Sequence, residues 1–239
     1  MIPAKNEATL IPRLLTSLMN QDYPKMSSTR VLVADANSTD GTPDVVRIFR
    51  NRLNVSVIRG GMPSVGRNRG AALADTPYVL FLDADIELAD TTLIRRCMQK
   101  TKARQLHCVT TNIACRDGNW IDKLFYKVNE CFQYMSYLHR PFATGMFMLW
   151  DRKKFWELGG FHEQILFAED YRLSQQVEQK RFAIVRGGVY TTNRRFQRMG
   201  HLKVGWLFLK TGLNYWNEQY FLRDHKYWAE SESAPPRSA

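Results

Sequence analysis

The stretch YVLFLDAD, Tyr78 to Asp85, decides the fold. Tyr78 to Leu82 is a continuous apolar run, which suits a strand buried on both faces, as in sheets whose parallel strands lie between helices. Two carboxylates one residue apart, Asp83 and Asp85, close the run. Outward from it, TRVLVAD (Thr29 to Asp35), VSVI (Val55 to Ile58) and HCVTTNIA (His107 to Ala114) read as further strands. Pro43 to Arg52, Val65 to Ala74 and Thr91 to Arg104 read as helices between them, and Thr42-Pro43 suits a helix start. This alternation predicts an α/β fold: a doubly wound, mostly parallel sheet with helices on both faces. Such sheets bind ligands beyond the carboxyl ends of their strands.

That rule picks out three segments. Asp35 is followed by the turn-forming ANSTDGT, and Asp83-Ala84-Asp85 follows the central strand. Pro3-Ala4-Lys5-Asn6-Glu7 follows the stub Met1-Ile2 and enters a helix whose Leu10, Leu14, Leu15 and Leu18 face inward, with Pro12 tolerable only in its first turn. Two carboxylates at this spacing can hold a hard divalent cation, because Mg²⁺ and Mn²⁺ take oxygen ligands and complete their shell with substrate phosphates. Taken alone, D-x-D is equally an acidic turn.

From Asn119 the texture changes. Ile121, Leu124, Phe125, Val128, Cys131, Phe132, Met135 and Leu138 recur at three- and four-residue steps, predicting a long amphipathic helix. Thr144 to Trp150 reads as a strand, Asp151 to Leu158 as a short helix closed by Gly159-Gly160, and Glu169 to Lys180 as another helix. His201 to Phe221 carries a second stripe of Leu202, Trp206, Leu209, Leu213, Trp216 and Tyr220, and the tail Ser231 to Ala239 has the composition of a disordered segment. The first reading of the two stripes is a core helix and a docking helix. Their aromatic residues, which include Phe208 and Trp228, stand beside Lys123, Lys127, Arg140, Lys203, Lys210 and Arg223, so they also suit peripheral attachment to an anionic membrane.

The chain's 239 residues carry 34 Lys and Arg against 23 Asp and Glu, a net charge of +11 that calls for an anionic partner: nucleic acid, a membrane surface or a phosphorylated small molecule. An apolar fraction of 44% excludes a disordered or fibrous chain. Cys97, Cys108, Cys115 and Cys131 form no C-x-x-C pair, so neither a zinc nor a redox motif is present, and reduced thiols point to the cytosol. There is no secretory-signal pattern and no apolar run long enough to span a bilayer. The basic residues are scattered among helices without a recognition motif, so no nucleic-acid partner is expected.

IPAKNEATL, ADANSTDGT, RNRGAALADTPYVLFLDADIEL and GGFHEQILFAEDYRLSQQV occur in the order and approximate spacing of the family 2 inverting glycosyltransferases, and the chain resembles that family from Met1 to about Glu178. The resemblance implies the GT-A fold and a metal-dependent inverting transfer of a sugar from a nucleotide sugar, usually UDP-linked, to a hydroxyl acceptor that is lipid-linked in some members. It implies a Mg²⁺ or Mn²⁺ cofactor and a role in cell-envelope glycan or glycolipid synthesis. By the same resemblance Pro3, Asn6 and Glu7 line the nucleoside pocket, Asp35 accepts from the nucleobase, and Arg67 and Asn68 of the R-N-x-G stretch run under the nucleotide. Asp83 matches the ribose or metal acid, Asp85 the metal ligand and Asp170 the general base. Gly145 and Glu169 fall on the acceptor side, and Arg194 and Arg195 approach the diphosphate.

The residue chemistry agrees with these roles. An inverting displacement needs one base on the acceptor and charge stabilisation of the departing diphosphate. Alone, Glu169-Asp170 is a pair of first-turn acids, Asp35 a strand-end cap, Asp40 a turn acid, and Arg67 and Arg69 a solvated helix face. His107, His162 and His201 lack ligand spacing.

The expected organisation is a GT-A domain at 1–200, with a nucleotide-binding half at about 1–115 and an acceptor half at about 116–200. A helical extension at 201–230 and a disordered tail at 231–239 follow. The expected location is the cytoplasm, at the inner face of the cell membrane. Only Met1 and Ile2 precede Pro3 where the family's first strand is longer, so a truncated first strand is expected. Ala36 replaces a common second acid, and Lys5 a common aromatic. The competing functions are a basic binding protein and a catalytically silent partner module; intact Asp83, Asp85 and Asp170 argue against the latter.

Overall fold

A computed structural model describes residues 1–225 and 227. Trp228 and the tail expected at 231–239 lie outside the described residues, as do 226, 229 and 230. Strands β1 (Ile2–Ala4), β2 (Val31–Asp35) and β3 (Val55–Arg59) form a parallel sheet in that order, with Val33 facing Ile2 and Val57. Helix α1 (Ile11–Met19) packs Ile11, Leu14, Leu15 and Leu18 into the core with Val31 and Val33, and Pro12 falls in its first turn. Helix α2 (Thr42–Ile48) begins on Gly41, so Thr42 is its first residue and not its cap. Helix α3 (Pro63–Ala72) covers the opposite face, where Gly66 approaches the methyl of Ala34. Helices on both faces explain why β2 is apolar throughout.

The second sheet runs β4-β7-β6-β8-β5, formed from β4 (Tyr78–Leu82), β5 (Glu87–Leu88), β6 (Cys108–Cys115), β7 (Phe147–Asp151) and β8 (Phe182–Thr191). Only β6 and β8 pair in parallel; β4 with β7, β7 with β6, and β8 with β5 are antiparallel. The expected mostly parallel pairing holds for the first three strands and for β6 with β8, and departs from expectation where β7 and β5 enter antiparallel. An apolar run carries no mark of strand direction, so β7 entering against both neighbours was not visible in the pattern. The amino nitrogen of Met1 donates to Leu80 O at 2.7 Å and Leu82 N donates to Met1 O at 3.0 Å, which lays β1 beside β4 and joins the two sheets.

Alternate residues feed two cores. Leu82, Val109, Phe147, Leu149 and Val185 join α1 and Leu93 of α4 (Leu93–Arg104), whereas Phe81, Cys108, Trp150 and Phe182 meet Phe155 of α6 (Arg152–Glu157) and Phe161. The remaining helices, apart from α5 described below, are α7 (Glu169–Ser174), α8 (Arg194–Met199), α9 (His201–Leu213) and α10 (Glu218–Leu222). Helix α7 is shorter than the expected Glu169 to Lys180; its last residue, Ser174, donates its hydroxyl back to Asp170 O at 2.7 Å, and the chain then tightens into turns. The C-terminal stripe is broken at Asn214, whose side-chain amide donates to Lys210 O.

Helix α5 (Trp120–Ser136) overturns the core-helix reading. It buries only Asp122 and Gln133 and leaves Trp120, Leu124, Val128, Phe132 and Met135 exposed. Helix α9 likewise buries Val204 and Thr211 and exposes Leu202, Trp206, Phe208, Leu209 and Leu213.

Candidate active site

The carboxyl ends of β1 and β2 are tied together by two loops that clasp each other. Asn6 adopts a left-handed backbone (φ 55°), its N–H donates to Ser38 Oγ and its side-chain oxygen accepts from Thr39 N, both at 2.9 Å. Glu7 N donates to Thr42 Oγ1 at 2.8 Å, and Asp40 accepts from Ala8 N and Thr42 N, confirming Asp40 as a turn acid. Asp35 Oδ2 accepts from Ser38 N at 3.1 Å, while Oδ1 is buried with no hydrogen-bond partner among the described residues. A buried carboxylate oxygen left unmatched is costly and suits an incoming N–H donor. Beyond β3 the chain must pass close to β2: a Cβ on Gly60 would lie 2.6 Å from Ala34 O, so only glycine fits.

These loops wall a pocket of about 410 Å³ lined by Pro3, Asn6, Glu7, Asp83, Asp85 and Arg194 among others. Arg194 donates to both oxygens of Glu7, at 2.6 and 3.0 Å, and its Nη2 lies 3.5 Å from Asp85 Oδ2. Burial pushes the Asp85 carboxyl above its usual range, the neighbouring Asp83 adds to this, and Arg194 and Arg195 oppose it. Burial also raises Glu7, against Arg194. Two carboxylates that repel each other at the pocket wall form a donor set of hard oxygens. No cluster of three or more His, Cys, Asp or Glu side chains suited to a metal exists among the described residues. Asp83 and Asp85 therefore fit a Mg²⁺ or Mn²⁺ ion whose shell a bound diphosphate completes, and do not fit an all-protein cage.

A second cavity, about 670 Å³, lies between α5, α9 and α7, and is lined by Asp170, Glu169, Gly145, Phe132, Phe208 and Leu213 among others. The two cavities share Arg67, Asp83, Tyr126, Met146, Arg195 and Tyr227. Arg67 is the partition: buried at 3% exposure, it donates to Asp83 Oδ1 at 2.6 Å and to Glu169 Oε1. Its guanidinium also sits 5.4 Å from the Phe161 ring centre. A buried arginine between two carboxylates is held permanently charged.

Asp170 is anchored on both oxygens, Oδ1 accepting from Tyr171 N at 2.8 Å and Oδ2 from Gly145 N. A Cβ at Gly145 would meet Arg67 Nη2 at 2.7 Å and Asp170 Oδ2 at 3.0 Å, so glycine suits the close approach of the chain to Asp170 before β7. Ala168, just before the pair, is held in the left-handed region (φ 60°), a strain of about 1 to 3 kcal/mol for a residue with a side chain. Burial raises the Glu169 carboxyl to about 7, opposed by Arg67 and reinforced by Asp170. Burial likewise raises Asp170, against Arg67 and its backbone donors.

The structure brings together all but two of the residues singled out in the sequence. Asp35 lies behind the pocket wall next to the lining residue Ala36. Asn68, expected beneath the nucleotide, lines neither cavity: its amide nitrogen donates to Phe161 O at 2.7 Å and Glu163 Oε1 at 3.0 Å, and its oxygen accepts from Phe161 N at 3.0 Å. With donor and acceptor both engaged, Asn68 holds Phe161 against Arg67. The sequence reading missed Gly61, Met62 and Pro63, which line the pocket after β3 and which the strand-end rule would have found. It also missed Tyr126, hidden within a stripe read as core.

The fold defines a glycosyltransferase-type α/β architecture, and the chain belongs to glycosyl transferase family 2, whose model matches residues 1–159. The α/β fold is that of GT-A enzymes. TarS of Staphylococcus aureus, a poly(ribitol-phosphate) beta-N-acetylglucosaminyltransferase, is 38% identical over 96 residues, 38% of this chain and 17% of TarS. The PGL/p-HBAD biosynthesis glycosyltransferase of Mycobacterium tuberculosis is 29% identical over 155 residues, 60% of this chain and 59% of that protein. This chain thus spans less than two thirds of either relative. Among solved structures, mannosyltransferase PcManGT from Pyrobaculum calidifontis, in complex with GDP-Man and Mn²⁺, superposes with a TM-score of 0.64 at 18% identity, covering 98% of this chain and 75% of that one. TarS residues 1–349 with UDP give 0.63 at 19% identity, covering 96% and 71%.

Proposed function

We propose that this chain transfers a sugar from a UDP-linked donor to a hydroxyl acceptor with inversion, dependent on Mg²⁺ or Mn²⁺. The observation that carries the reading is the pair of cavities sharing Arg67 and Asp83, with the paired acids Asp83 and Asp85 in one and Asp170 in the other. TarS has been solved with UDP-GlcNAc and with UDP, and PcManGT with GDP-Man and Mn²⁺, which supports a nucleotide sugar and a divalent cation. In the proposed arrangement, residues 1–115 hold the donor and 116–200 the acceptor. Asp35 Oδ1 accepts from the base, and Pro3, Asn6 and Glu7 flank the nucleoside.

In the reaction, Asp170 takes the proton from the acceptor hydroxyl, whose oxygen forms a bond to the anomeric carbon as the bond from that carbon to the diphosphate breaks. Charge builds on the leaving diphosphate, and Arg194 and Arg195 face it. A cation held by Asp83 and Asp85 would supply Lewis-acid neutralisation of the same charge. Arg67 keeps Glu169 and Asp83 in place at the wall between the two cavities. The apolar lining of the larger cavity favours an acceptor with a greasy part, such as a lipid-linked hydroxyl, with the protein working at the cytoplasmic face of the cell membrane.

Thermal shift with a panel of nucleotide sugars, with and without Mn²⁺, tests this reading, since ligands that bind only the folded state raise its stability. A UDP-sugar that raises the melting temperature more with Mn²⁺ is expected. No response to any nucleotide sugar would favour a silent partner module.

A further inference from the structure

We propose that the outward faces of α5 and α9 are a docking surface for an anionic lipid bilayer, and that the larger cavity opens onto it. The second clause rests on the acceptor reading above; the first does not.

Both helices leave most of their apolar residues exposed, and the fully buried residues of α5 are polar. Helix α5 faces the protein with Asp122 and Gln133, while Trp120 is 73% exposed. Asp122 is fixed there: it accepts from Asn119 N at 2.9 Å and Asn193 Nδ2 at 3.2 Å, and lies 2.6 Å from His201 Nε2 at the start of α9. Gly205 of α9 packs on the Phe125 ring of α5, so the helices lie side by side. Leu202 in the first turn of α9 is 90% exposed. An apolar surface of this extent is a binding site or a liability.

Charge selects the occupant. Helix α9 (HLKVGWLFLKTGL) contains Lys203 and Lys210 and no acid. Exposed Lys123 and Lys127 belong to α5, whose acids are Asp122, which is buried, and Glu130, paired to Lys127 at 2.7 Å. Lys210 lies 5.2 Å from the Trp206 ring centre, a cation beside an interfacial aromatic. Apolar and aromatic residues flanked by lysines suit the headgroup boundary of anionic lipid, whereas two such faces would repel each other. No helix among the described residues is long and apolar enough to cross a membrane, so the geometry is that of lying on the surface.

The cavity opens on the same face. Val128, Phe132 and Met135 of α5 and Phe208, Leu209 and Leu213 of α9 both line it and are exposed to solvent. A hydrocarbon chain leaving the bilayer at that mouth would bring an attached hydroxyl toward Asp170 without crossing water.

Flotation of the full chain with phosphatidylcholine–phosphatidylglycerol vesicles and with phosphatidylcholine vesicles alone tests the docking surface. Binding to the anionic vesicles that weakens with salt is expected. Lys123→Glu with Lys210→Glu should weaken it by at least about 25-fold, about fivefold for each positive charge removed. Leu124→Ser with Trp206→Ser, neither of which lines a cavity, should abolish it while leaving circular dichroism and UDP titration unchanged. Absent flotation, or flotation indifferent to charge, overturns the proposal. So does a concentration-dependent dimer that the Leu124→Ser, Trp206→Ser variant dissolves. Vesicle binding without any nucleotide response would instead overturn the transferase reading and leave the docking surface standing.

Discussion

The smaller pocket, which we propose takes the nucleotide, and the larger cavity, which we propose takes the acceptor, share a wall at Arg67 and Asp83 but are made of opposite materials. The pocket is built by loops at strand ends, clamped backbone to side chain through Asn6, Ser38, Thr42 and Asp40, with its charges already paired as Glu7 to Arg194. The cavity is built by helix faces whose apolar side chains reach solvent, with its charges at Arg67, Asp83, Glu169, Asp170, Arg140 and Arg195. A diphosphate needs donors at fixed positions, which rigid loops provide, whereas an apolar acceptor is held by non-directional burial that needs only area. The division of materials therefore matches a division of labour between recognising a donor and admitting an acceptor.

The strongest way to break that division is at Asp170. Asp170→Asn should lower transfer by about 10²- to 10⁴-fold, the usual contribution of a positioned base, in a single-turnover assay. Acid should act in the same direction, since burial raises both carboxyls of the Glu169–Asp170 pair and protonation removes the base. Transfer should therefore fall as pH is lowered, at a higher pH than an ordinary aspartate would give, because burial raises the Asp170 carboxyl. Stability has the opposite sign. The folded chain keeps a proton on Glu169 that the unfolded chain releases near 4.5, so this contribution is complete below 4.5 and is lost as pH rises through about 7. Urea midpoints across that window, compared with those of Glu169→Gln, should show it.

The partition itself is the next target. Arg67→Ala would strand Asp83 and Glu169 without their buried cation, at a loss of about 3 to 5 kcal/mol in urea unfolding. A loss below 1 kcal/mol would mean that the two sides are independent. Smaller still is the contrast between helices with similar stripes. Leu15→Ala in α1, where the side chain is fully buried, should cost about 2 to 5 kcal/mol, and Leu124→Ala in α5, which is half exposed, within about 0.5 kcal/mol.

That contrast also marks what the sequence could convey. Helix α5 was legible as a helix because its apolar residues repeat with helical period, but period alone does not say which side meets the core. The deciding groups were Asp122, whose partners His201 and Asn193 lie 79 and 71 residues away, and Gln133, which donates to Phe142 O just beyond the helix. Asp35, Asp83 and Asp85 were legible because strand ends in an α/β sheet point to the ligand rim, and the structure puts Asp83 and Asp85 directly after β4. The bridge that Arg67 makes was not legible, because its two partners lie 16 and 102 residues away and no local pattern records such a contact. The contacts of Asn68 with Phe161 and Glu163 were hidden for the same reason. The direction of β7 was hidden because an apolar strand reads alike both ways.

Donor recognition and base chemistry are separable in this account, and calorimetric titration of UDP with and without Mn²⁺ tests that most directly when wild type, Asp85→Asn and Asp170→Asn are run in parallel. Wild type should bind more tightly with Mn²⁺, Asp85→Asn should lose that gain, and Asp170→Asn should keep it in full while failing to transfer sugar. Indifference of the wild type to Mn²⁺, or a loss of UDP affinity in Asp170→Asn equal to that in Asp85→Asn, would contradict it.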